Sequence, residues 1–174
     1  MVSIDFYRQT DRMSCGPTAL YNALQWSEHI EPYMFTRSQQ SHISITRKHI
    51  PNIHAWRFLM NSQSRGVGTH PDDFQKCCCA LFETYITKCS YTLENHLDAG
   101  RGAIILHYYH YVFVYMACGA YHTINGRRLM YETFDDLYYD LLVDRSVPSR
   151  FCSGGNYNYP KIWLLEKRSS DESE

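Results

Sequence analysis

Apolar residues first recur at helical spacing between Cys15 and Trp26. One face of this segment is apolar, with Ala19, Leu20, Ala23 and Leu24 in register for a 3.6-residue repeat. Ser14 is suited to the N-cap, and Pro17 is suited to a first helical turn, where its missing N–H leaves no bond unmade. The pattern predicts a helix that begins at Cys15, with a short strand or extended arm, Ile4 to Tyr7, before it.

A second helix is predicted to begin at the sequence Thr69-His70-Pro71-Asp72, which has the form of a capping box. The apolar positions that follow keep helical spacing: Phe74, Cys77, Cys78, Leu81, Phe82 and Tyr85. Thr92 to Ala99 predicts a shorter helix, closed by Gly100 as a left-handed C-cap. A capping box formed by Thr133 and Asp136 predicts a later helix. Its inward positions are expected to be Phe134, Leu137, Tyr138, Leu141 and Leu142.

Strand patterns dominate the second half of the chain. We expect strands at Ala103 to Leu106, at His110 to Ala117, from His122 onward, and at Lys161 to Lys167. Cys118-Gly119 predicts a tight hairpin between the second and third of these. Helices come first and antiparallel strands later, which is typical of an α+β fold in which an N-terminal helical half packs on an antiparallel sheet.

The 174 residues are enough for one hydrophobic core and too few for two ordinary domains. We therefore predict a single domain over residues 1–168, followed by a disordered acidic tail over residues 169–174. Residues 27–65 show only patchy periodicity around Trp56 to Met60 and do not predict an arrangement of elements.

A formal net charge of −1 gives no electrostatic reason to expect nucleic acid or an anionic membrane as partner. Ala103 to Tyr121 is uncharged over a membrane-spanning length, but its histidines and its alternating β-branched and aromatic residues favour two buried strands. Seven cysteines without a signal peptide predict free thiols in a reducing compartment. We expect a soluble, cytoplasmic protein.

Cys15 is the first candidate for chemistry. The N–H groups and dipole at a helix start lower the pKa of a thiol, so a cysteine there, facing a cleft, is suited to act as a nucleophile. A nucleophile of this kind also needs a base and a donor for the tetrahedral oxyanion. Gln9 lies six positions earlier in QTDRMSCGPTAL, and a loop of that length can bring its amide back beside the thiol.

This string resembles the papain-like peptidases, in particular the bacteriocin-processing (double-glycine leader) peptidases and their stand-alone relatives. In those families a Gln six residues before a Cys-Gly pair supplies the oxyanion hole, which maps onto Gln9, Cys15 and Gly16. The segments GTHPDDF, YTLENHLDAGRGAIIL, HYVFVY and YPKIW resemble later family elements in the same order. The resemblance implies a papain-like fold and a catalytic His110 at the start of its strand.

Two site assignments stay open at this point. His107 is an alternative base, only three residues before His110, although it more readily ends the preceding strand. Asn125 is expected to be the third member of the site. If Cys118-Gly119 is a two-residue hairpin, Asn125 lies opposite Val112, on the side of the sheet that carries His110, where its amide can orient the imidazole. Asn125-Gly126 is also a strong turn signal.

The resemblance implies a cysteine peptidase acting on a protein or peptide substrate through Cys15, His110, Asn125 and Gln9, with no cofactor. Two alternatives remain: a thioester-forming acyltransferase or deamidase, and a catalytically idle module that binds within a larger assembly. A metal site is not expected. Consecutive cysteines on a helix point about 100° apart, so Cys77 to Cys79 cannot share one ion, and core packing is the expected role of Cys77 and Cys78. A zinc site at His110, Cys118 and His122 is a weaker alternative.

Overall fold

The computed structural model describes residues 3–9, 11, 13–29, 42–46, 50–62, 68–107, 110–126, 128–143 and 161–168. The predicted acidic tail, residues 169–174, lies outside the described residues.

The described residues form five α-helices and eight strands. In order they are β1 (Ser3–Tyr7), α1 (Cys15–His29), β2 (His42–Thr46), α2 (Ile53–Leu59), α3 (Pro71–Leu81), β3 (Glu83–Thr87), α4 (Ser90–Asp98), β4 (Gly102–His107), β5 (His110–Ala117), β6 (Ala120–Ile124), β7 (Met130–Tyr131), α5 (Phe134–Leu137) and β8 (Lys161–Glu166). Helix α5 continues into one π-helical turn, Tyr138–Leu142.

Six of these strands form an antiparallel sheet in the order β3-β8-β4-β5-β6-β7. A separate parallel pair joins β1 to β2. The predicted hairpin between β5 and β6 is confirmed, since Ala117 faces Ala120 and both Cys118 and Gly119 have positive φ. A two-residue turn with positive φ at both positions has the same right-handed twist as the strands that it joins. The α+β class is thereby confirmed.

The two faces of the sheet build two parts of the core, because side chains alternate along each strand. The face carrying Tyr111, Phe113 and Tyr115 packs with α1, α3 and β1. The opposite face, carrying Val112 and Val114, packs with α4, α5 and the π-helical turn. Helix α1 therefore lies against β5, which brings its first residue, Cys15, to the end of the sheet where β5 begins.

Several predicted boundaries were wrong. Helix α3 ends at Leu81, and Phe82 turns into extended backbone, so Tyr85 lies in edge strand β3 and not on the helix. The N-cap of α3 is His70, whose Nδ1 accepts from the Asp72 N–H, because Thr69 is fully buried and bonded elsewhere. Tyr138 is partly exposed and does not point inward.

Helix α4 begins at Ser90 and not at the predicted Thr92, but the predicted caps of α4 and α5 are confirmed. Thr133 caps α5 by accepting from the Asp136 N–H, and Gly100 follows α4 with a φ of 82°. Cys78 is fully buried in the core and Cys77 packs against it, as expected. Across the described ranges, no helix is long and apolar enough to cross a membrane.

Candidate active site

Cys15 opens helix α1, and the loop before it is closed by Asp11. The Asp11 carboxylate accepts from the N–H of Met13 and from the hydroxyl of Ser14. These bonds fold the chain into the helix start, because a short acidic side chain can satisfy N–H groups that have no partner within the helix. Bonding by Ser14 and Met13 lowers the pKa of Asp11 against the opposing effect of partial burial, and the Arg57 charge lowers it further.

Gly16 lets a second segment cross directly over the helix start. A Cβ at this position would lie 2.6 Å from Thr69 Oγ1 and 2.9 Å from Thr69 Cβ. Thr69 is itself held in place, since its hydroxyl lies 2.5 Å from Ser62 Oγ and its carbonyl accepts from the Tyr111 hydroxyl at 2.8 Å. The Gly68-Thr69 segment therefore locks α1 to strand β5 at the residue beside the candidate nucleophile.

The Cys15 thiol is buried, and this corrects the expectation of a thiol that faces a cleft with a lowered pKa. The residue is 5% exposed and belongs to the core cluster on the α1 face of the sheet. Burial raises the pKa of the Cys15 thiol, and backbone N–H groups of Tyr111, Gly16 and Cys15 itself offset only part of the rise. Because the Tyr111 N–H bonds the sulfur, the Cys15 thiol lies beside Tyr111, the residue that follows His110.

His110 and Asn125 are directly bonded. His110 Nε2 lies 2.5 Å from the main-chain carbonyl oxygen of Asn125. Because a carbonyl oxygen only accepts, Nε2 carries the hydrogen, and Nδ1 is the ring nitrogen left to act as a base when the ring is neutral. The amide of Asn125 was expected to orient the ring, but in the structure the main-chain carbonyl of Asn125 makes this bond.

Asn125 also reaches the Gln9 segment. Its side-chain Oδ1 accepts from the Gln9 N–H at 3.4 Å. Asn125 lies one residue beyond β6 with a φ of 62°, so it is a turn residue as well as a partner of His110. The left-handed conformation turns Asn125 out of the line of the strand. Its carbonyl then bonds His110 and its side chain bonds Gln9, two residues far apart in the sequence.

The Gln9 side chain is half-buried, and its Nε2 donates to the Asp11 carbonyl at 2.5 Å. The amide therefore folds back over the loop that leads into Cys15. Gln9 lies within a small cleft beside the helix start, shared with Asp11, Ser14 and Thr18.

His107, the alternative base, is the register partner of His110 across strands β4 and β5. It is buried, and its Nδ1 lies 3.1 Å from the carbonyl of Leu141 in the π-helical turn. The weaker zinc alternative fails on geometry as well. His110 is the first residue of β5 and Cys118 follows its last, so the two lie about 25 Å apart at strand spacing. No group of three or more His, Cys, Asp or Glu residues in the described ranges could hold a metal ion.

Sequence reasoning missed Asp11, Thr69 and Tyr111 as parts of this site. Asp11 had a usable signal, since an acidic residue three positions before Ser14 can bond the N–H groups of a helix-leading turn. The Thr69 and Tyr111 contacts join residues 42 positions apart through a main-chain carbonyl, and local patterns carry no trace of them.

No family model matches this chain, and neither a curated protein nor a solved structure matches it. The papain-like resemblance therefore depends on the motifs quoted above.

Proposed function

We propose that this chain is a papain-like cysteine peptidase that hydrolyses peptide or isopeptide bonds, with Cys15 as nucleophile and His110 as general base. The observation that carries the proposal is the bonding of Asn125. Its carbonyl bonds His110 and its side chain bonds the Gln9 segment, 116 positions away in the sequence. His110, Asn125 and Gln9 are thus linked by hydrogen bonds, and Gln9 is bonded in turn to the loop that leads into Cys15.

In the proposed mechanism, His110 Nδ1 removes the Cys15 proton while Nε2–H stays bonded to the Asn125 carbonyl. The thiolate attacks the substrate carbonyl carbon, and the protonated imidazole then gives its proton to the leaving amine. Water, deprotonated by the same nitrogen, hydrolyses the acyl-enzyme and regenerates the thiol. Bonding of Nε2–H to the Asn125 carbonyl fixes the ring in the tautomer in which Nδ1 can accept the proton.

The oxyanion requires donors that are aimed at it. The Cys15 N–H, which lies next to the sulfur, is the first donor. Gln9 Nε2 becomes the second donor once it releases the Asp11 carbonyl. Replacing one bond to a neutral carbonyl by one to a developing anion favours the transition state, since hydrogen bonds to charged groups are about twice as strong. Gln9→Ala should reduce turnover about 100-fold or more.

The proposal can be tested by covalent labelling. A peptide vinyl sulfone should modify Cys15, and peptide mapping should find the label there rather than on the exposed thiols Cys79, Cys89 and Cys118. His110→Ala should suppress labelling of Cys15 and leave labelling of Cys118 unchanged, which controls for intrinsic reagent reactivity. The mass of the product from a peptide substrate separates hydrolysis from transfer to an amine.

The burial of Cys15 favours a second candidate, a catalytically idle papain-like module with a binding role. A thiol that is 5% exposed and has a raised pKa is typical of a structural cysteine. On this alternative, Cys15 resists the vinyl sulfone as long as the protein stays folded, and Gln9→Ala changes nothing measurable. Labelling of Cys15 that disappears in His110→Ala would rule it out.

A further inference from the structure

A cavity of about 110 Å³ that opens to solvent lies at the far end of helix α1. We call it the Trp26 cavity. Its apolar walls are Ala23, Trp26, Phe82, Phe113 and Leu165. Trp26 follows Cys15 by eleven residues, about 16 Å along the helix axis, so this cavity is separate from the candidate active site.

The walls of the Trp26 cavity are firm. The Trp26 and Phe113 rings meet edge to face, with centroids 5.9 Å apart. A Cβ at Gly102 would lie 2.7 Å from the Phe113 ring, so the ring already rests on the backbone of β4. The cavity is thus held open by packed aromatic rings, with a small residue, Ala23, on the helix side.

Size and polarity limit what can fill it. An apolar cavity of roughly 150 Å³ holds one benzene molecule, and apolar cavities of this kind hold water poorly. The Trp26 cavity is slightly smaller but open on one side, so it suits a single aromatic ring or a branched aliphatic group whose remaining atoms extend through the opening. Offset and edge-to-face contacts with two rings favour an aromatic group.

The charges at the opening select the other end of the ligand. The cavity lining includes three partly or fully exposed charged residues, Arg101, Glu166 and Lys167. Arg101 Nη1 lies 3.1 Å from Glu166 Oε1. The guanidinium has five N–H donors, so this ion pair leaves other donors of Arg101 able to bond a ligand. Two cations and one carboxylate leave a net positive opening.

Helix α4 ends near the opening, and its C-terminus contributes about half a negative charge. That end is capped by the N–H groups of Ala99, Gly100 and Arg101, which bond its last carbonyls. The three side chains carry a net charge of +1, which outweighs this half charge, so the opening favours an anion.

We propose that the Trp26 cavity binds a small aromatic carboxylate. The ring lies among Trp26, Phe82 and Phe113, and the carboxylate accepts from the Arg101 guanidinium and the Lys167 ammonium at the opening. This site does not depend on whether Cys15 is catalytic.

Three matched probes test the proposal: 3-phenylpropionate, its neutral amide, and 3-phenylpropylamine. Binding is followed by NMR through the indole N–H signal of Trp26, assigned with Trp26→Phe. We expect saturation by the carboxylate with a Kd on the order of 1 mM, the range for a ligand of this size, and weaker binding of the amide and then the amine. Carboxylate binding no tighter than that of the amide, or no saturable shift, would overturn the proposal.

Two variants at the opening should act in opposite directions. Arg101→Gln should weaken carboxylate binding at least about fivefold, because charge-assisted bonds are lost and Glu166 is left unpaired. Glu166→Gln should tighten it, since Arg101 is then free of its intramolecular partner. A purely structural effect of breaking the ion pair would shift both variants the same way, and that result would contradict the charge argument. Lys76→Gln, an exposed cation on α3, is the matched control and should change nothing.

Filling the cavity tests its location. Ala23→Leu should abolish binding of all three probes, because the added methyl groups occupy the space of the ring. Binding that survives Ala23→Leu in a folded protein would place the ligand elsewhere. If Ala23→Leu does not fold, the opposed pair of variants at Arg101 and Glu166 still decides the question.

Discussion

The contact between Gly16 and Thr69 makes a specific prediction about stability. In Gly16→Ala the new Cβ would lie 2.6 Å from Thr69 Oγ1 and 2.9 Å from Thr69 Cβ, well inside contact distance. Thr69 cannot easily retreat. It is fully buried, and both its hydroxyl and its carbonyl are bonded, to Ser62 and Tyr111 respectively.

The magnitude follows from three effects. Overpacking of a filled site costs about 1–3 kcal/mol. A strained or lost bond between Thr69 and Ser62 costs about 1 kcal/mol more. Replacing Gly by Ala inside a helix returns about 1 kcal/mol. The expected net loss in the free energy of unfolding is therefore about 1–3 kcal/mol, against the gain that helix propensity alone would give.

Urea denaturation followed by far-UV circular dichroism measures this loss. Gly68→Ala is the matched control, because its nearest neighbour, the Met13 carbonyl oxygen, lies 4.0 Å from a Cβ built there. In a Thr69→Ala background the Oγ1 contact is absent, so Gly16→Ala should cost less there, with a coupling energy of about 1 kcal/mol. A Gly16→Ala protein as stable as the Gly68→Ala protein would refute the reasoning.

Three further predictions concern the site, the pH response and the thiols. Asn125→Gly should retain peptidase turnover within about threefold, because the main-chain carbonyl that bonds His110 remains. Asn125→Ala should in addition lower the urea midpoint, since Ala adopts a left-handed φ of 62° less readily than Asn or Gly does. Turnover that falls in Asn125→Gly as far as in His110→Ala would contradict this. Burial lowers the pKa of His96, so the unfolded state binds more protons below about pH 6.5, and stability should fall as pH falls through that value towards the lowered folded pKa. His96→Gln should flatten urea midpoints measured between about pH 7 and pH 5, and an unchanged slope would assign the response to other groups. Bonding to Thr92 and Tyr91 lowers the pKa of the exposed Cys89 thiol, whereas burial raises that of Cys78; iodoacetamide should therefore modify Cys89 in the native protein before Cys78, as mass mapping over time would show.

Much of the local structure could be predicted because its causes lie within a few residues. The start of α1, the Cys118-Gly119 turn, the Thr133 cap and the strands β4, β5, β6 and β8 each follow from short patterns. Backbone preferences and the alternation of apolar residues act over one turn or one strand, so the chain itself carries that information. Gln9 and Cys15 were chosen as candidates from a motif of similar length, and His110 from the family resemblance.

Long-range contacts decided the remainder. Tyr85 continues a helical pattern, yet it lies in β3, because pairing with β8 at the sheet edge outweighs the propensity of a single turn. Strand β2 pairs with β1, 39 positions away in the sequence, and no local sequence pattern predicts this pairing.

The chemistry of the site was decided in the same way. A helix start predicted a low thiol pKa for Cys15, but packing against β5 and the Thr69 segment buries the sulfur, and burial outweighs the nearby N–H groups. Asn125 was chosen for its side chain, whereas its carbonyl bonds His110. Every residue has the same carbonyl, so a sequence cannot single one out; only the folded backbone, turned at a positive φ, aims it at the imidazole.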